Sequence, residues 1–154
     1  MAAAGPPIVH AVRRADGYRQ ALRAHARRQG PIVVKGGFME ADGYRAMKRL
    51  LAAPARPDAV FAANDPAAIG AMKAVWEAGL TVPDDIAVVG AGDIAHGDML
   101  RVPLTTVSWS RQELGRRAAE LILDRIGSNP NGAPRRVVIP PKLVVRESSG
   151  GART

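Results

Sequence analysis

Cysteine is absent from the sequence. That excludes a disulfide framework, a thiolate nucleophile and any cysteine-ligated metal site, and it suits a reducing compartment such as the cytoplasm. Aromatic residues are nearly as scarce, at 4% of the chain, so no row of stacking side chains for single-stranded nucleic acid is available. Three histidines, His10, His25 and His96, stand far apart, and no carboxylate pair falls at metal-ligand spacing. Neither a metal site nor catalytic machinery follows, and an enzyme is not expected. Gly36-Gly37 and Gly90-Ala91-Gly92 fall short of the dinucleotide fingerprint, so no cofactor is expected either. No apolar run approaches the ~20 residues that span a bilayer. The opening Met1-Ala2-Ala3-Ala4-Gly5-Pro6-Pro7 lacks the basic segment and apolar core of a secretion signal, which disfavours a secreted sugar-binding protein.

What remains is a globular composition of 154 residues, 47% hydrophobic and 23% charged, enough for one ordinary domain with a buried core. The net charge of +8 comes from 22 basic against 14 acidic residues and invites a nucleic-acid reading. The basic residues are dispersed, however, as the separate pairs Arg13-Arg14, Arg27-Arg28, Arg116-Arg117 and Arg135-Arg136. Such pairs read as solvated helix faces rather than as a DNA-reading stripe.

Along the chain, residues 1–7 read as a disordered start. Apolar residues at helical spacing predict helices over 12–29, 41–53, 66–78 and 113–126. Short apolar runs predict strands at 32–35, 58–63 and 86–90. Asn64-Asp65 before Pro66 is a helix-start signal, one side chain capping and proline at the first helical position. An extended, β-branched stretch covers 103–109, a turn cluster 127–132, and two further strands 136–139 and 142–146, with a disordered tail at 148–154. Strands alternating with helices indicate an α/β fold, a parallel sheet in a three-layer arrangement. In such sheets ligands sit beyond the carboxyl ends of the strands. That rule alone nominates Gly36-Gly37-Phe38, Asn64-Asp65 and Ala91-Gly92-Asp93.

At this point ordered motifs over nearly the whole chain resemble one family. Pro57 to Ala71, with Val60-Phe61-Ala62-Ala63-Asn64-Asp65 at its centre, is similar to the LacI/GalR signature P-x-A-V-F-A-x-N-D-x-x-A-x-G-A. Val82-Pro83-Asp84-Asp85-Ile86-Ala87-Val88-Val89-Gly90, Pro103-Leu104-Thr105-Thr106-Val107, Leu114-Gly115-Arg116-Arg117-Ala118 and Leu143-Val144-Val145-Arg146-Glu147-Ser148 match further motifs of that family in order. Arg14-Ala15-Asp16-Gly17-Tyr18 resembles its R-x-x-G-F, which lies near the middle of a full repressor. The resemblance implies a periplasmic-binding-protein-like fold of two Rossmann-like lobes with a sugar or sugar acid bound between them. Residues 8–109 correspond to the C-terminal lobe, 110–127 to a helix of the N-terminal lobe, and 128–147 to returning strands. The DNA-reading helix-turn-helix and most of the N-terminal lobe are then expected outside this chain, leaving the second lobe incomplete. Without that lobe, helix 113–126 is expected to pack in a manner foreign to the family or against a second copy.

The resemblance also assigns roles. Arg14 takes the place of the ligand-clamping arginine, whose planar fork donates paired hydrogen bonds. His10 falls where a small polar contact is common, against the alternative of a histidine in a frayed terminus. Phe38 would stack on the ligand ring, Asn64 would hydrogen-bond it, and Trp109 would line the cleft or join the core. Asp65 and Asp93 read as capping or structural residues. Gly92 stands where most members carry a ligand-binding carboxylate, so an anionic effector is expected. A homodimer would form through Ile69, Met72, Lys73, Trp76, Met99 and Leu100, unless these simply pack the core. DNA would be reached only through the headpiece. Two alternatives stay open: a pairing module that binds no effector, and a stand-alone sugar-binding protein.

Overall fold

A computed structural model of the chain describes residues 9–25, 32–127 and 132–151. The expected disordered start at 1–7, the turn at 128–131 and the last residues, 152–154, lie outside the described residues. Helix α1 spans Val9–Ala24, α2 Glu40–Leu51, α3 Asp65–Glu77 and α4 Arg111–Ile126. Strands β1 (Ala59–Phe61), β2 (Ala87–Ala91), β3 (Thr105–Ser108) and β4 (Lys142–Val144) form one sheet in the order β1-β2-β3-β4. The first three strands run parallel and β4 pairs antiparallel to β3. The expected α/β class is therefore seen, with a mixed sheet.

The boundaries follow from local chemistry. Asn64 is extended (φ −157°, ψ 177°) and its Oδ1 accepts the Ala67 N–H at 3.0 Å, so α3 starts immediately after it. Ser110 does the same for α4 by accepting from Glu113 N at 3.3 Å, which places that helix start two residues ahead of the sequence expectation. At the front of α2, Asp42 reaches back to accept the Met39 N–H at 3.2 Å.

The core lies between α3, α2 and the sheet, and consists of small and medium side chains. Ala68, Ala74, Val75, Ile86, Val88 and Leu104 have no exposed surface, and Met47 and Met72 have 1% each. Helices α2 and α3 cross at two glycines. A Cβ on Gly70 would stand 1.8 Å from the Glu40 carbonyl oxygen, and one on Gly43 1.9 Å from that of Ala67. Backbone therefore packs on backbone, and any larger residue would force the helices apart.

Three expectations are corrected. Residues 32–35 form no strand, and Ile32 and Val33 are each 45% exposed. A strand exists only through a neighbour's backbone, and β1, the edge strand, pairs only with β2 among the described residues. The Lys35 carbonyl instead accepts from Arg49 Nη2 at 2.7 Å. Residues 136–139 are likewise outside the sheet, with Val138 70% exposed. The tail beginning at Ser148 is ordered as far as Gly151: Glu147–Ser149 form a 3-10 turn with Ser148 fully buried. Its hydroxyl donates to the Val88 carbonyl at 2.6 Å and accepts from Thr105 N at 2.8 Å. One side chain thus bridges β2 and β3 where their direct pairing begins. Thr105 Oγ1 reinforces it by donating to the Arg146 carbonyl at 2.9 Å and accepting from Arg146 N at 2.7 Å.

Candidate functional site

The three parallel strands deliver their carboxyl ends to one face, and the loops that follow them carry most of the residues nominated from sequence. After β1, Asn64 uses both ends of its amide: Oδ1 caps α3, while Nδ2 donates to the Phe38 carbonyl at 2.8 Å. Phe38 and Asn64, both half-buried, are thereby held side by side. An amide has two donors and two acceptor positions, so Asn64 keeps capacity for one more partner of each kind.

Arg14 reaches this face from α1. Its Nη1 donates to the Ala63 carbonyl at 2.6 Å, and its guanidinium carbon stands 5.3 Å from the ring centre of Trp109, just beyond β3. A cation over an indole face is a favourable placement that leaves the remaining guanidinium N–H groups available. Arg14, Phe38, Asn64 and Trp109 are in this way linked around the ends of β1 and β3. His10 lies in α1, but its side chain is outside the described residues.

After β2 the chain turns through Gly92 (φ 142°) and Asp93 (φ 52°), the first a conformation that favours glycine. Arg146 Nη2 pairs with Asp93 Oδ1 at 3.1 Å, and Arg111 Nη2 donates to the Asp93 carbonyl. Burial opposes ionisation of Asp93. The Ser108 hydroxyl and the Arg146 guanidinium donating to it, with the charges of Arg146 and Arg111, outweigh burial and hold its carboxyl below the usual carboxylate range. Arg146 also donates to the Leu104 carbonyl through Nη1 at 2.8 Å, so its guanidinium is shared between that carbonyl and Asp93, and the Asp93 carboxylate is already paired.

Asp65 is not the helix cap, since Asn64 fills that position. It is 1% exposed, and its carboxylate accepts from Thr106 Oγ1 at 2.6 Å and from Ile94 N at 2.9 Å. The start of α3, the loop after β2 and strand β3 are tied together by this one side chain. Gly90 makes room for it, since a Cβ there would stand 2.2 Å from Asp65 Oδ1.

Sequence reasoning missed Arg111, Arg146, Ser108 and Thr106. Arg146 lay within a motif already used for the family resemblance, and a charged residue in an otherwise apolar β-strand end was the available signal. Among the proposed interface residues, Met72 is corrected: at 1% exposure it is core, because its face of α3 turns toward the sheet. Trp76 and Leu100 are half-buried against the core, with Arg101 over the Trp76 ring at 5.3 Å, and Ile69 is half-buried. Lys73, paired with Glu77 at 3.8 Å, and Met99, 77% exposed, are open to solvent. Among the described residues no group of His, Asp or Glu could hold a metal ion, and no helix is long and apolar enough to cross a membrane.

Residues 4–149 match the family described as a periplasmic-binding-protein-like domain. The HTH-type transcriptional repressor PurR of Mannheimia succiniciproducens is 38% identical over 141 residues, covering 91% of this chain and 42% of that protein. A putative transcriptional regulator of the LacI family from Sanguibacter keddieii superposes with a TM-score of 0.81 at 40% identity, over 90% of this chain and 53% of the other. The complex of the transcriptional regulator CelR with cellobiose gives a TM-score of 0.82 at 37% identity, over 95% and 45%. The chain spans roughly half of these solved structures and 42% of the PurR relative.

Proposed function

The chain belongs to the LacI/GalR group of periplasmic-binding-protein-like domains, and from that membership we propose that it is the effector-binding portion of a cytoplasmic transcriptional regulator. Its ligand is a sugar or sugar acid, bound at the face formed by Arg14, Phe38, Asn64, Gly92 and Trp109. DNA is contacted through a headpiece that is not among these residues, so the chain's own role is to sense and not to read bases. A relative of the same fold holds cellobiose, which supports a carbohydrate class of ligand.

One observation carries the reading further. Arg14 stands at the Ala63 carbonyl and over the Trp109 ring with N–H groups to spare, while Asp93, the carboxylate of the loop after β2, is held by Arg146 and is not a free acceptor. Neutral sugars need acceptors for their hydroxyl hydrogens, whereas a carboxylate or phosphate matches a guanidinium fork. The site therefore favours an anionic sugar. Calorimetric titration with gluconate and with glucose tests this. Gluconate is expected to bind more tightly, and Arg14→Ala to weaken it by at least about tenfold, the loss of one charge-assisted pair. Preference for glucose would remove the argument.

A second reading, a pairing module without an effector, draws on α4, none of whose residues is buried. A protein that associates but gives no heat with either sugar would select it.

A further inference from the structure

Between β2 and β3 the chain makes an excursion that opens at Gly92-Asp93 and closes at Leu104. Arg146 uses both arms of its fork on the base of that loop. Nη1 donates to the Leu104 carbonyl at 2.8 Å and Nη2 to Asp93 Oδ1 at 3.1 Å, so one guanidinium holds the two ends together. Its main chain is fixed as firmly, since Thr105 Oγ1 accepts from Arg146 N at 2.7 Å and donates to the Arg146 carbonyl at 2.9 Å. Only 20% of its side chain is exposed, and a group tied at four points does not swing out to meet a ligand. What it sets is the charge and the place of Asp93. That residue stands at φ 52°, a left-handed backbone conformation uncommon for any residue with a side chain.

The neighbours of Asp93 bring its charge to the candidate ligand face. Gly92, one Cα step of about 3.8 Å away, is among the residues assigned to that face. Ser108, whose hydroxyl donates to the Asp93 carboxylate, precedes Trp109, and Trp109 lies under the Arg14 guanidinium. Charges are screened over about 8 Å at physiological salt, so a carboxylate that is 32% exposed at this point is felt by a ligand seated beside Gly92. Alone, it would repel an anion. Arg146 neutralises it, and Arg111, donating to the Asp93 carbonyl, brings a second cation. Two cations against one carboxylate leave the base of the loop with one net positive charge. On the anionic-sugar reading above, on which this rests, we propose that Arg146 is a positioning residue that compensates Asp93 and so, without touching the ligand, makes the face accept an anion.

Calorimetric titration with gluconate, at a temperature where circular dichroism shows each variant folded, reads that local charge. Affinity should follow it as a ladder, about three- to tenfold per unit of charge. Asp93→Asn, with one more net positive charge, should bind more tightly than the parent, and Arg146→Gln, with one fewer, more weakly. The double variant Arg146→Gln/Asp93→Asn has the parent's charge and should return to within about threefold of it, as should Arg146→Lys, which keeps the charge without the fork. The deficit of Arg146→Gln should also shrink between about 20 mM and about 500 mM salt, because screening weakens a charge effect and not a distorted loop. Should Arg146→Gln fail to fold, the sign of the change in Asp93→Asn decides alone. Gluconate bound by the parent and equally by Arg146→Gln, a double variant no better than Arg146→Gln, a deficit indifferent to salt, or weaker binding by Asp93→Asn would overturn the role of Arg146 while the anionic-sugar reading stood. A parent that does not bind gluconate would overturn both.

Discussion

Removing the Asp65 carboxylate offers the most direct measure of how this fold holds its candidate site. In Asp65→Ala two donors lose their acceptor, the Thr106 hydroxyl at 2.6 Å and the Ile94 N–H at 2.9 Å, in a position 1% exposed. Each buried donor left unpaired costs about 1–3 kcal/mol, and the vacated volume adds to it, for a total of roughly 3–5 kcal/mol. Were Asp65 only a favourable acid in the first turn of α3, the loss would be about 0.3–1 kcal/mol. The two roles differ enough to be separated by urea unfolding, provided the m-value is unchanged. For a chain of this size each kcal/mol moves the melting temperature by about 2–4 °C, so a fall of roughly 10 °C is expected. A double-mutant cycle with Thr106→Val should return a coupling of about 1–3 kcal/mol. A loss below about 1 kcal/mol with no coupling would refute the role of Asp65 as the tie between α3, β3 and the loop after β2.

Ser148→Ala should cost about 2–4 kcal/mol in thermal unfolding, since it leaves the Val88 carbonyl and the Thr105 N–H unpaired in the core; a cost within error of zero would mean that β2 and β3 close on each other directly. Asp93 supplies a pH dependence. Its carboxyl titrates lower in the folded chain than when unfolded, so its contribution is complete above the unfolded value near 4 and is lost as pH falls through the lower folded value. Asp93→Asn is therefore expected to be less stable than the parent above about pH 5 and to show a shallower acid decline, and parallel pH profiles of the two proteins would contradict this.

Much of the architecture was legible where local chemistry and tertiary packing agree. The short apolar run over 58–63, the Asn64 cap and Pro66 announced β1 and α3, with β1 itself confined to Ala59–Phe61, and the apolar 86–90 run announced β2. The loops after these strands were found from the strand-end rule alone. Legibility failed where the outcome depends on a remote neighbour. Residues 32–35 have the composition of a strand, but β1 pairs only on its other side among the described residues. Met72 and Met99 are chemically alike, yet one is core and the other surface because only the packing of α3 distinguishes them. The Asp65–Thr106 bond spans 41 positions, and no spacing rule reaches that far. Helix α4 differs again: its apolar side was plain in the sequence, and among the described residues none of that helix is buried.

The bridge made by Ser148 also bears on how the chain is made. Contacts between α2 and α3 are close in sequence and can form while synthesis continues, since their crossing needs nothing beyond Gly70. The junction of β2 with β3 is different, because the hydroxyl that completes it leaves the ribosome after all four strands. Until then the start of β3 has no partner for its first amide, and the sheet half that carries Asp93 and Arg146 stays open. Folding is thereby split in time into a helical half that closes early and a site-bearing half that waits for the final turn. Any premature stop ahead of residue 148 yields a nascent chain with exposed strand ends, the form most readily taken up by chaperones or lost to aggregation.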